Sequence, residues 1–212
     1  MDKLDKLKEN WQSEKHELPK VSFDKIYKML LKKSSSIVKW IFVISIIELF
    51  FWIGLYFTVP EDNINMMKEL GLESVMYYTE MINFFIFGIF IIFFYRNYKS
   101  IKITDSTKVL MQNILNTRKS VRYFVYYNVG ITIAYFIAIN TYLLNDSDKL
   151  YKIMHSYNQD IPKEGFANIF ITSQIIVFLI VLGLLILFYW LVYGILLKKL
   201  KRNYKELKKI NS

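Results

Sequence analysis

Four stretches of the chain stay apolar for far longer than a turn or strand requires: residues 37–59, 77–95, 123–144 and 169–197. A helix needs about 20 such residues to cross a bilayer. None of the four shows the strict alternation of a half-buried strand, so each is predicted to be a helix. The fourth is longer than a bilayer demands, which predicts tilt or continuation as helix into the basic tail.

Shorter patterns lie between and before these stretches. Leu4, Leu7 and Trp11 recur at helical spacing among charges, with Asp2 suited to the start and Pro19 to the end. A second short helix is predicted from Ser22, as its cap, to about Lys33, with Phe23, Ile26, Met29 and Leu30 on one side. In the central connection, "TDSTKVLMQNILNTRKSVR" predicts a helix capped by Asp105 or Ser106, with Val109, Leu110, Ile114 and Leu115 sharing its apolar side. Residues 60–76 and 145–168 are expected to be loops, and "NDSD" at 145–148 has the composition of a turn. The pattern therefore predicts an all-α fold, an integral membrane four-helix bundle over 36–197. Short cytoplasmic amphipathic helices fill 1–35 and a basic tail follows from 198 to 212. "VKWIFV" at 38–43 and "VRYFVY" at 121–126 open spans in the same way, as two parallel helical hairpins would.

Charge sets the orientation. The chain carries 22% charged residues against 54% hydrophobic ones, with net charge +10 and mean hydropathy +0.25. Lys and Arg crowd the segment before the first span, the connection 96–122 and the tail, whereas 60–76 holds only Lys68. Positive charge marks the inner side, so both termini and the central connection are expected in the cytoplasm. Trp40, Tyr123, Tyr126, Tyr127, Phe188, Tyr189, Trp190 and Tyr193 would form an inner aromatic belt, and Trp52, Tyr56, Tyr77, Tyr78 and Tyr142 an outer one. The first 35 residues contain no apolar signal core, so the first span is expected to be an uncleaved anchor. No groove-reading motif accompanies the positive charge, so membrane lipids rather than nucleic acid are the expected partners. A cytoplasmic protein held by Leu4, Leu7 and Trp11 is another expected partner, and a homo-oligomer stays open.

Chemistry is thinly supplied. Cysteine is missing, which excludes disulfides and thiolate metal sites. His16 and His155 fall on opposite sides of the membrane, and no HExxH, EF-hand, Walker A or GxGxxG pattern occurs. Neither an enzyme nor a cofactor is expected. The polar residues inside the spans carry more information. Ser45, Glu48 and Trp52 share one face of the first span, and Asn128, Thr132 and Tyr135 one side of the third, which also bears the small ladder Gly130, Ala134 and Ala138. With Asn83 of the second span, the residues Ser45, Glu48, Asn128 and Thr132 are expected to converge. A charge at mid-membrane costs at least ~3 kcal/mol. Glu48 is thus either a neutral carboxyl hydrogen-bonded to one of those amides, or the working group of a small transporter. Arg118, Lys119 and Arg122 form a basic cluster suited to lipid headgroups, at about 1 kcal/mol per cation.

"LKENWQSEKHELPK" followed by "IYKMLLKKSSSIVKWIFVISIIE" resembles the start of a family of small, uncharacterised four-span bacterial membrane proteins. Members of that family are sometimes encoded beside alternative sigma factors. The resemblance implies a regulatory protein of the bacterial cytoplasmic membrane.

Overall fold

The computed structural model describes residues 22–102, 104, 106–157 and 162–211. The first expected helix, with Asp2, Leu4, Leu7, Trp11 and Pro19, lies outside the described residues, as does Asp105. All regular structure among the described residues is helical: α1 Phe23–Tyr56, α2 Glu61–Glu69, α3 Glu73–Lys102, α4 Thr107–Asn145, α5 Ser147–Tyr157, α6 Phe166–Tyr189 and α7 Ile195–Asn211. A π-helical turn, Trp190–Gly194, joins α6 to α7 without a break. Four of these rods are long and apolar enough to cross a membrane: α1, α3, α4 and the α6–α7 continuation.

The expected short helices are not separate. Residues 23–35 and the following span form one helix of 34 residues, and α4 carries the central connection into the third span over 39 residues. Neither junction contains Gly or Pro, and their Lys, Arg and Ser residues are tolerated in a helix, so nothing interrupts the backbone hydrogen bonds. Ser22 and Ser106 occupy the N-cap positions of α1 and α4 with extended backbones, though neither side chain makes a capping bond.

A single seam follows from this continuity. From the start of α4 the buried positions run Leu110, Ile114, Thr117, Val121, Phe124 and Asn128, spaced alternately by four and three, and Asn140 and Leu143 are buried near its end. In α1 Leu30, Ser34, Ile37, Ile41, Ser45 and Glu48 are buried on closely similar spacing. Phe87, Phe94 and Ile101 do the same for α3, and Tyr189, Tyr193, Leu200, Asn203 and Leu207 for the last rod. Such heptad spacing keeps one stripe facing the partner helices along a left-handed supercoil. α1 packs on α3 and α7, and α4 on the same two, closing a four-helix ring. Val109 and Leu115, expected on the apolar side of α4, lie outside this stripe and are exposed.

At the basic end the four rods run on together beyond their apolar stretches. Ile101, Leu110, Ile114, Leu200 and Leu207 are wholly buried there. Tyr27 Oη donates to the Thr104 carbonyl at 3.1 Å and ties α1 to the α3–α4 turn. Ser34 Oγ accepts from Asn203 Nδ2 at 3.0 Å inside the seam.

The opposite end has its own small core of Leu70, Leu72, Leu143, Leu150, Phe166 and Phe170. Both segments expected as loops contribute helices to it, α2 and α5. "NDSD" is more than a turn, because Asp146 Oδ1 accepts from the Lys149 backbone N–H at 3.0 Å and so caps α5. Gly71 has φ 77, and a Cβ there would lie 3.3 Å from Tyr142 Oη, which itself donates to the Leu70 carbonyl at 3.2 Å. Only glycine fits that turn without strain. The small ladder is not buried in a close helix contact as a sequence reading expects: Gly130, Ala134 and Ala138 are all exposed.

Candidate functional site

Glu48 enters the interior because the α1 seam reaches it after Ser45, and it is only 5% exposed. Opposite stands the π-helical turn at the end of α6. Tyr189 Oη donates to Glu48 Oε1 at 2.7 Å and Tyr193 Oη to Oε2 at 2.8 Å. The two tyrosines are four residues apart on one face, so one short segment supplies a donor to each oxygen. Widened π turns are frequent at functional sites, and here the turn carries Tyr193 while Tyr189 is the last residue of α6 before it.

Rings close the pocket around this group. Phe124 of α4 makes edge contacts with Phe87 at 5.0 Å, Phe90 at 5.3 Å and Phe94 at 5.5 Å between centroids. Tyr193 and Tyr189 lie 5.7 and 6.1 Å from the same ring. The carboxyl group is therefore met by phenols whose rings pack against Phe124, with no cation at its oxygens among the described residues. Such a site serves either protonation state: a carboxylate accepts two O–H bonds, and a carboxyl can return one to a phenol oxygen. Its chemistry is a lock between α1 and the last rod.

The other expected polar residues do not reach Glu48 through hydrogen bonds. Ser45 donates to the Phe42 carbonyl, Asn128 to Phe124 and Thr132 to Asn128, each at 2.8 Å within its own helix. Asn83 Oδ1 accepts from Tyr127 Oη at 3.0 Å. The tyrosines thus replace the expected amide partner. Tyr189 and Tyr193, at 3% and 1% exposure, leave the aromatic belt predicted for them, whereas Trp40, Tyr123, Tyr126 and Trp190 do lie exposed. One signal for the pair was present: two tyrosines at i, i+4 in a helix expected to run antiparallel to Glu48.

The basic cluster sits on α4. Lys119 Nζ lies 5.7 Å from the centre of the Tyr123 ring. Arg118 is half-buried and its Nε has no partner. None of Arg118, Lys119 and Arg122 forms an ion pair among the described residues. Among those residues no cluster of three His, Asp or Glu is placed to hold a metal, and His155 instead stacks on Tyr151 at 5.4 Å.

Residues 24–212 match the family described as domain of unknown function DUF8845, and the chain belongs to that family. The match includes "IYKMLLKKSSSIVKWIFVISIIE" but not the preceding "LKENWQSEKHELPK". No curated protein and no solved structure matches the chain.

Proposed function

We propose that this chain is a non-enzymatic integral protein of the bacterial cytoplasmic membrane. Its basic four-helix head receives an acidic cytoplasmic protein, in a regulatory setting of the kind its sequence resemblance implies. The observation that carries this reading is the continuity of the four rods past their apolar stretches into a closed head. The surface of that head bears Lys and Arg on every rod. Among the described residues of its four segments, only Asp24 and Glu206 oppose them.

Lipid headgroups account for the cations nearest the bilayer and not for the rest. Lys25 stands about 35 Å along α1 from Glu48, at 1.5 Å per residue. Screening at physiological salt reaches about 8 Å. Cations that far out act on a soluble partner. The segment with Leu4, Leu7 and Trp11 joins α1 at this same end and would add apolar anchors to an electrostatic encounter. Glu48 serves here as the lock that fixes the register of the rods. A small transporter built on Glu48 is the alternative reading, and the phenol held on each of its oxygens favours the lock.

Photo-crosslinkers at Lys32 and Lys205 in native membranes test the proposal. A discrete protein adduct is expected, weakened by high salt and by reversing Lys32, Lys33 and Lys205 to Glu. Trp11→Ala should reduce it further, since a buried aromatic anchor is worth ~2 kcal/mol or more. Lipid adducts alone, unchanged by charge reversal, would remove the docking function.

A further inference from the structure

Between α4 and the last rod an apolar cleft of about 480 Å³ opens on the outside of the bundle. Val125, Val129 and Gly130 form one wall, and Ile186, Trp190 and Leu197 the other. The rings of Tyr189 and Tyr193 lie at its base, with their hydroxyl groups turned to Glu48. Arg122 closes the cleft at its basic end. From Arg122 to Gly130 the cleft follows α4 for about 12 Å.

Polarity is divided along this length. The body offers only hydrocarbon and ring surfaces, and the end offers a guanidinium. One turn further, beyond the residues that line the cleft, half-buried Arg118 adds a second guanidinium on the same face of α4, its buried Nε without a partner. Neither arginine has a carboxylate at ion-pair distance among the described residues. Two unneutralised guanidiniums above an apolar slot complement a ligand with one anionic head and a hydrocarbon chain, and guanidinium is the side chain best shaped for phosphate. We propose that the cleft is a specific site for one anionic phospholipid of the inner leaflet, its phosphate on Arg122 and Arg118 and one acyl chain along Gly130 and Trp190.

The site rests on the membrane-spanning reading of the four long helices. It has a consequence for the lock, because a chain lying against Tyr189 and Tyr193 also holds them on Glu48. Gly130 supplies the probe: a Cβ added there meets nothing within 4 Å, so a larger residue fills the cleft without displacing the bundle. The protein is extracted in mild detergent and titrated with phosphatidylglycerol or phosphatidylcholine of equal chain length, and bound lipid is read by native mass spectrometry. One phosphatidylglycerol per chain is expected at lipid levels where phosphatidylcholine does not bind. Arg122→Gln, an exposed change that leaves packing alone, should lower phosphatidylglycerol retention about fivefold. Gly130→Phe should abolish retention of both lipids. Equal retention of the two headgroups, or a Gly130→Phe chain that still holds phosphatidylglycerol, would overturn the site. So would a dimer dissolved by Gly130→Phe, since a second copy would then be the occupant. Carbonate extraction separates the two failures: a chain that stays in the membrane without selective lipid loses this site alone, and one released into solution loses the spans as well.

Discussion

Each oxygen of Glu48 receives one phenol, so every member of the trio can be removed singly and the consequence read. Tyr193→Phe keeps the ring against Phe124 and deletes only the donor. Hydrogen bonds inside membranes average ~0.6 kcal/mol and reach ~1.7, and a stranded acceptor adds to that loss. A destabilisation of about 1 kcal/mol is expected, seen as a lower unfolding midpoint in detergent. Glu48→Gln retains an acceptor and gains a donor, and should fold nearly as well as the natural chain. Glu48→Leu strands both phenols and should cost more than either tyrosine change. A double-mutant cycle of Glu48→Leu with Tyr193→Phe should show coupling, because the two changes remove the same bond. Additive losses would mean that the phenol and the carboxylate do not hold one another. A Gln variant that folds well and has lost its role in the cell would move Glu48 from lock to working group.

Among the helices, the buried Ser34–Asn203 pair sets the register of α1 against α7 where Leu30, Ile37, Leu200 and Leu207 are also buried. Ser34→Ala removes the partner of Asn203 Nδ2 and should cost about 1–3 kcal/mol, whereas Ser34→Ala with Asn203→Leu should recover most of it. A double variant as weak as the single one would mean that the site needs its polar atoms for something besides pairing. The rods themselves are legible from apolar length alone, and so is the placement of Glu48 on an inward face. The head is harder to read, because Arg118, Lys119 and Arg122 look like the end of a membrane stretch. Yet Leu110, Ile114, Thr117, Val121, Phe124 and Asn128 keep alternating four–three spacing straight through them, since the cations occupy other faces. Tyr189 and Tyr193 escape a local reading for another reason. A tyrosine suits a headgroup belt and a buried carboxyl equally well, and which one it meets depends on the facing helix. The helices α2 and α5, at 9 and 11 residues, are too short to stand out from polar loops by period.

At the scale of the whole molecule, the two ends are built differently. The basic end closes all four rods around one seam. Toward the other end α1 stops at Tyr56, while α6 continues with Ile175, Ile176, Val177, Leu179 and Ile180 exposed. Exposed apolar surface on that scale needs a nonaqueous neighbour, in keeping with four rods long and apolar enough to cross a membrane. On the proposed membrane reading, the positive-inside rule predicts that the basic end faces the cytoplasm. The chain has no cysteine of its own, so single cysteines can report this directly. Ser106 sits at the tip of the head, and Asn63 and Lys163 sit on the opposite side, all three exposed. In intact cells a membrane-impermeant thiol reagent should label cysteines placed at Asn63 and Lys163 and leave one at Ser106 untouched until the membrane is opened. Labelling of Ser106 together with protection of the other two would invert the molecule and put the basic head outside. Labelling of all three alike would mean that the rods do not cross, and the apolar face of α6 would then have to be buried against another protein.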